Sequence, residues 1–138
     1  MTDPFHDAVA VLCEEVGLNT PSPKANGGYE FDIDSTILKA FPLNNGRLIL
    51  TGAIGKIVQI AEARRESARD LLASCLTLHG ARFRKLGLQE TMTIEPEQDE
   101  LILWRKFDHQ APGISDFLQA VESLLNEVRF WKRWLLSI

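Results

Sequence analysis

The chain of 138 residues has the length of one domain, and its 45% hydrophobic and 25% charged residues are typical of a globular protein rather than a disordered one. A formal net charge of −4 argues against a broad electrostatic attraction to nucleic acid or to an anionic membrane. No apolar run reaches the roughly 18 residues of a membrane span, and no signal peptide follows Met1. We therefore expect a single cytoplasmic domain over residues 1–138, with no nucleic-acid partner and no membrane insertion.

The N-terminal segment predicts a helix that Gly17 ends. Pro4 occupies a first-turn position that tolerates proline, and the apolar residues recur with the spacing of one helical face. That stripe consists of Phe5, Ala8, Val9, Leu12, Cys13 and Val16. The prolines and glycines between residues 19 and 28 cannot continue a helix, so this stretch is predicted to be a loop.

Three strands are predicted next. Tyr29, Phe31 and Ile33 alternate with Glu30, Asp32 and Asp34, which is the period of a half-buried strand. Thr36 to Pro42 makes a second strand and Arg47 to Ile54 a third. Between them, Asn44-Asn45-Gly46 predicts a hairpin, because Asn-Gly accepts the positive φ angles of a type I′ turn.

The stretch from Gln59 to Gly80 predicts the helix around which the domain is organised. Its apolar residues share one face, charged residues occupy the opposite face, and Gly80 supplies a stop. So wide an apolar face needs either a sheet or a second copy of the chain to cover it. The basic stretch from Arg82 to Lys85 is predicted to be a solvated loop rather than an RNA contact, because no aromatic platform accompanies it.

Two further strands, Gln89 to Pro96 and Glu100 to Phe107, precede a last helix that runs from Ile114 to Leu135. The fifth strand carries apolar residues on both faces, which a dimer that also binds an extended partner would explain. The last helix has an apolar surface wider than one stripe, and the sequence leaves open whether Phe130 and Trp134 are buried or exposed. The fold class is therefore α+β in the order α-β-β-β-α-β-β-α, with an antiparallel twisted sheet and three helices.

Residues that could carry catalysis or bind a metal do not form a recognisable pattern. His6, His79 and His109 lack the spacing that gathers metal ligands. Asp32 and Asp34 share a strand face, but solvent-facing alternation explains them and no phosphate-binding motif supports a magnesium site. Nucleophile elbows and dinucleotide fingerprints are missing too. We expect no enzyme, no catalytic residue, no metal and no cofactor.

The order of elements, the first-helix stripe that ends in VGL and five further sequence blocks resemble the class I chaperones of bacterial type III secretion, the family of the Tir and Yop effector chaperones. The five blocks are YEFDIDSTILKAFPL, RLILTGAIGKI, ARDLLASCL, ELILWRKF and DFLQAVESLLNEVRFWKRWL, and the resemblance extends from Phe5 to Leu135. The chain departs from the family between His79 and Leu86, where a longer basic link replaces a short glycine-rich one.

The resemblance implies a homodimer without catalytic activity. Each protomer would hold a segment near the N-terminus of a secreted effector in extended, non-globular form and keep the effector competent for secretion. The resemblance also implies a role in virulence. The implied dimer residues are Leu71, Leu72, Cys75 and Leu76. The implied effector-binding residues are Phe5, Val9, Leu12, Ile37, Phe41 and Trp104. The alternatives are a small dimeric adaptor or regulatory domain without chaperone activity and, third, a small enzyme with an unrecognised site.

Overall fold

A computed structural model describes residues 4–25, 27–43, 47–107 and 114–136. Nine elements follow one another along the chain: α1 (Pro4–Val16), β1 (Tyr29–Ile33), β2 (Thr36–Pro42), β3 (Leu48–Lys56), α2 (Ile57–Arg64), α3 (Ala68–Leu86), β4 (Thr91–Glu95), β5 (Glu100–Phe107) and α4 (Ile114–Leu136). The predicted hairpin at Asn44-Asn45-Gly46 lies outside the described residues. Within the described ranges, no helix combines the length and the apolar character needed to cross a membrane.

The five strands form one antiparallel sheet in the order β1-β2-β3-β5-β4, which confirms the predicted sheet. One face of the sheet is apolar and buried, and α4 packs across β3 and β5 on that face. Gly52 allows this close approach, because a Cβ atom at that position would lie 2.8 Å from Val128 Cγ2. A register shift between Ala53 and Gly55 then bends β3 toward α2, which follows it without a loop.

The described residues form four helices rather than the predicted three, because the predicted helix from Gln59 to Gly80 is divided in two. Arg65 adopts the left-handed conformation with a φ of 55° and ends α2. Ser67 then caps α3, where its Oγ accepts a hydrogen bond of 3.1 Å from the Asp70 backbone N–H. The chain therefore turns between two helices where the hydrophobic period alone predicted one.

The second helix of this pair also ends later than predicted. Gly80 lies inside α3, and the helix ends at Gly87, which has a φ of 65° and donates its N–H to the Phe83 carbonyl at 3.0 Å. The basic stretch from Arg82 to Lys85, predicted to be a loop, is therefore the last part of a helix. This extension adds almost two turns of helical surface that the sequence reading did not include.

An aromatic cluster on α4 fills the space between α4, α2 and α3. Trp131 is fully buried, and the rings of Phe130 and Trp134 meet it edge-on at centroid distances of 5.4 and 5.5 Å. Both outer rings are partly buried and pack against the core, which answers the question that the sequence left open. Arg64 lies over the Trp134 ring and donates to the Trp134 and Leu135 carbonyls, so α2 is tied to the C-terminal end of α4.

Candidate functional site: an open sheet face and an exposed helix face

The face of the sheet opposite the core also carries apolar side chains. On β5, Leu101 and Leu103 are buried on the core side, whereas Ile102 and Trp104 are half-buried on the other side. The prediction that β5 is apolar on both faces is therefore confirmed. We call this second surface the open face; its apolar members are Ile37, Phe41, Ile49, Ala53, Ile102 and Trp104.

A groove of about 560 Å³ crosses the open face, and its described lining comes from the five strands and the β4–β5 turn. Ile37, Phe41 and Ile102 supply apolar lining, and Glu30 and Lys39 lie at one side of it. A salt bridge of 2.9 Å from Lys24 to Glu30 lowers the pKa of that carboxyl group, and the charge of Lys39 acts in the same direction. The groove is thus an amphipathic surface of a size that accommodates several side chains.

The predicted effector-binding residues divide between this face and the interior. Ile37 and Phe41 line the groove, and Trp104 lies on the same open face. Val9 and Leu12, in contrast, are 0% and 4% exposed and face the protein's own core, so α1 does not offer them to a partner in this conformation. The side chain of Phe5 lies outside the described residues.

The predicted dimer residues are likewise split. Leu71 and Cys75 are fully buried within the chain, Leu72 is partly buried, and Leu76 is 57% exposed. Sequence reasoning missed two further exposed apolar residues on the same side of α3, because it placed them in a loop. Together they form what we call the α3 outer face: Leu72, Leu76, Phe83 and Leu86. The periodicity of these four residues, followed past Gly80, was the signal that could have found them.

Neither cysteine is a reactive thiol. Cys13 and Cys75 are both free and buried, and burial raises the pKa of each, that of Cys75 to about 11. A thiol with so high a pKa is almost fully protonated at neutral pH and is a poor nucleophile. Among the residues that the structure describes, no group of three or more His, Cys, Asp or Glu side chains could hold a metal ion.

Comparison with solved structures identifies proteins with a similar arrangement of strands and helices. A chain of the ExsC–ExsE complex superposes with a TM-score of 0.72 at 20% identity, covering 95% of this chain and 92% of its own length. The HopA1–SchA chaperone–effector complex gives 0.69 at 14% identity, covering 96% and 99%. The Yersinia pestis type III secretion chaperone SycH, bound to a stable fragment of YscM2, gives 0.61 at 15% identity, covering 92% and 98%.

The chain has the fold of the class I type III secretion chaperones. This confirms the resemblance that the sequence blocks indicated. The sequence matches no protein-family model, and a search of curated proteins finds no significant match.

Within this chaperone fold, a polar cluster lies beneath the α3 outer face, between α3 and α4. Arg82 donates to Glu127 at 2.6 Å and stacks over the Phe130 ring at 3.5 Å. His79 lies next to them, with its ring 6.4 Å from that of Trp131, and its buried Nδ1 has no hydrogen-bond partner among the described residues. Burial lowers the pKa of His79, Glu127 and Glu90 raise it, and Arg82 lowers it further.

The lowered pKa of His79 predicts a pH-dependent stability. Between the pKa of the folded protein and the usual value near 6.5, the unfolded chain binds a proton that the folded chain does not. The free energy of unfolding should therefore be highest above pH 6.5 and fall as the pH decreases through this window, by at most about 1.4 kcal/mol per pH unit for one proton. Urea unfolding between pH 5 and 8 measures this slope.

If a neutral replacement of His79 removes the pH dependence of the free energy of unfolding, protonation of His79 is its cause. His79→Gln should flatten the profile below pH 6.5, where burial of the imidazole has lowered the pKa of His79. His6→Gln, which removes a histidine outside the cluster, is the matched control and should leave the slope in place. An unchanged slope in His79→Gln would contradict the assignment.

Proposed function

We propose that this protein is a cytoplasmic, non-catalytic type III secretion chaperone that acts as a homodimer. Each protomer holds a segment near the N-terminus of a secreted effector in an extended, non-globular form. Binding the unfolded segment in preference to a folded one keeps it open by mass action, and so competent for secretion.

The observation that carries this proposal is the open face of the sheet. Ile102 and Trp104 are apolar residues on a surface that the chain does not cover with a helix in its described part, and apolar surface of this kind marks interaction sites. An extended segment can place alternate side chains in such a groove. Support also comes from the solved structures with this fold, in which SchA is bound to its effector and SycH to a fragment of YscM2.

The proposal is tested by recovering the partner and asking how it is bound. Tagged protein would capture partners from a lysate of the source bacterium, and limited proteolysis would define the protected fragment. The proposal requires a protease-resistant N-terminal-region segment that is not a folded globule. Protection of an intact folded domain would instead support an adaptor or regulatory domain. Capture should be lost in Trp104→Asp and retained in the control Val58→Asp, since Val58 is exposed on α2 away from the groove.

Homodimerisation through the α3 outer face gives a separate prediction. Leu76 and Phe83 are 57% and 48% exposed, so charging them should not disturb the fold of one chain. The double variant Leu76→Glu/Phe83→Glu is expected to convert a dimer, of twice the 15.5 kDa chain mass, into a folded monomer. Association should weaken at least about 100-fold, because each introduced carboxylate would lie close to its copy across the two-fold interface.

Light scattering on a size-exclusion column measures the mass, and circular dichroism checks the fold. Val58→Glu places a charge on an equally exposed apolar residue of α2 and should remain dimeric. A double variant that stays dimeric would show that another surface forms the interface.

A further inference from the structure

The open face is not uniformly apolar, and the strand register shows where its charges lie. One row across the sheet consists of Thr93, Ile102 and Ala53, with Ile37 on the adjoining strand. The next row toward the β4–β5 turn begins with Glu95 opposite Glu100. The groove therefore has an apolar centre and an acidic end.

Residues of the β4–β5 turn and of the adjoining strand ends form the acidic end of the groove. Glu95 accepts hydrogen bonds from the backbone N–H groups of Glu97 and Gln98 at 3.2 and 2.7 Å, which fixes its carboxylate at the rim of the groove. Glu97 and Glu100 line the same end, and no ion pair within the described part of the chain engages either of them. Lys56 lies in register beside Glu100, so three carboxylates share this end with one nearby cation.

The opposite side of the groove is already balanced. Glu30 is paired with Lys24, and the positive charge of Lys39 offsets Asp32, which lies on the same face of β1 in register with Ile37. Negative potential is therefore concentrated at the β4–β5 end, where it attracts cations and repels anions over about a Debye length, roughly 8–10 Å at physiological salt. An occupant of the groove gains most when an apolar stretch lies on the centre and a basic residue lies at this end.

We infer that the open face selects a cationic amphipathic segment: a short extended stretch of apolar residues flanked by Lys or Arg. This inference rests on the proposed function, because it specifies the chemistry of the effector segment that the same surface would hold. Five strands about 4.8 Å apart span roughly 19 Å, which an extended chain covers with about six residues. A segment of that length reaches from the balanced side to the acidic end.

The test uses three synthetic peptides and the full-length protein. Each peptide has blocked ends and the same alternating Leu-Ser core of six residues, flanked on both sides by two Lys, two Glu or two Ser residues. Affinities would be measured by fluorescence anisotropy at low and at physiological salt. The Lys peptide is expected to bind at least about tenfold tighter than the Glu peptide, with the Ser peptide between them, and the difference should shrink as salt increases.

A charge-reversed groove shows whether the acidic end causes the preference. The double variant Glu97→Lys/Glu100→Lys should bind the Lys and Glu peptides with equal affinity, or should bind the Glu peptide more tightly. Glu62→Lys/Glu122→Lys changes the net charge by the same amount at exposed residues of α2 and α4 and should preserve the order. This control separates the groove from the overall negative charge of the chain.

The outcomes distinguish the inference from the proposed function. If all three peptides bind equally and Trp104→Asp abolishes their binding, the open face holds extended segments but does not select charge, so only the inference is overturned. If no peptide binds, the open face as a binding surface is overturned together with the inference. If the Lys preference survives in Glu97→Lys/Glu100→Lys, the acidic end is not its source and the inference is wrong.

Discussion

Replacing Trp131 by alanine is expected to remove a large share of the stability of the fold. Trp131 is fully buried at the centre of the aromatic cluster, between two aromatic neighbours on α4 and His79 on α3. Truncating a buried tryptophan costs about 3–5 kcal/mol, because the transfer free energy of the ring is lost and a cavity remains. A domain of this size has about 5–15 kcal/mol in total. Urea unfolding followed by circular dichroism measures the loss.

Trp104→Ala is the matched control for this variant. Trp104 lies half-buried on the open face, so the same truncation there leaves no enclosed cavity and should cost about 1 kcal/mol or less. Nearly equal losses in the two variants would contradict the assignment of Trp131 to the core and Trp104 to the surface. Both variants lack one tryptophan, so backbone circular dichroism rather than fluorescence is the appropriate signal.

The strands could be predicted from the sequence because their evidence is local. The bounds of β2 and β5 coincide with the predicted strands Thr36–Pro42 and Glu100–Phe107. The alternating stretch from Tyr29 to Asp34 contains β1 and exceeds it by one residue. The break between α2 and α3 was missed although its evidence is also local. Ser67 and Asp70 have the spacing of a helix cap, but hydrophobic periodicity continues through them and was given more weight.

What covers an apolar stripe could not be predicted, because a stripe does not specify its partner. Val9 and Leu12 have the same spacing whether they face the protein's own core or an effector, and only the fold shows that they are internal. The same holds for Leu71 and Cys75, whose neighbour Leu76 is exposed. The sequence thus predicted that partner surfaces exist, whereas the distinction between core and surface required the arrangement of all the elements.

Glu90 is a buried charged residue that the sequence analysis did not identify. It falls in the predicted fourth strand, next to an alternating pattern that indicated nothing unusual. In the structure it is 0% exposed, and its carboxylate accepts hydrogen bonds from Arg105 at 3.3 Å and from Ser123 at 3.2 and 3.3 Å. These partners lie 15 and 33 residues away on β5 and α4, so no local pattern joins them. The site connects the edge of the sheet to the last helix.

Arg105→Leu is therefore expected to destabilise the fold by about 3 kcal/mol, because it leaves the Glu90 carboxylate buried without its cation. The reverse variant, Glu90→Leu, should cost less, since the Arg105 side chain is 21% exposed and can turn toward water, whereas that of Glu90 is 1% exposed. The double variant Glu90→Leu/Arg105→Leu should recover much of the loss, because an apolar pair of similar size needs no compensating charge.

Urea unfolding of the three variants and the unmodified protein gives the coupling free energy. Equal losses in Arg105→Leu and in the double variant would show that Arg105 acts through packing alone. A positive coupling would instead show that this long-range ion pair, which no local sequence pattern indicates, stabilises the fold at the end of β4 remote from the β4–β5 turn.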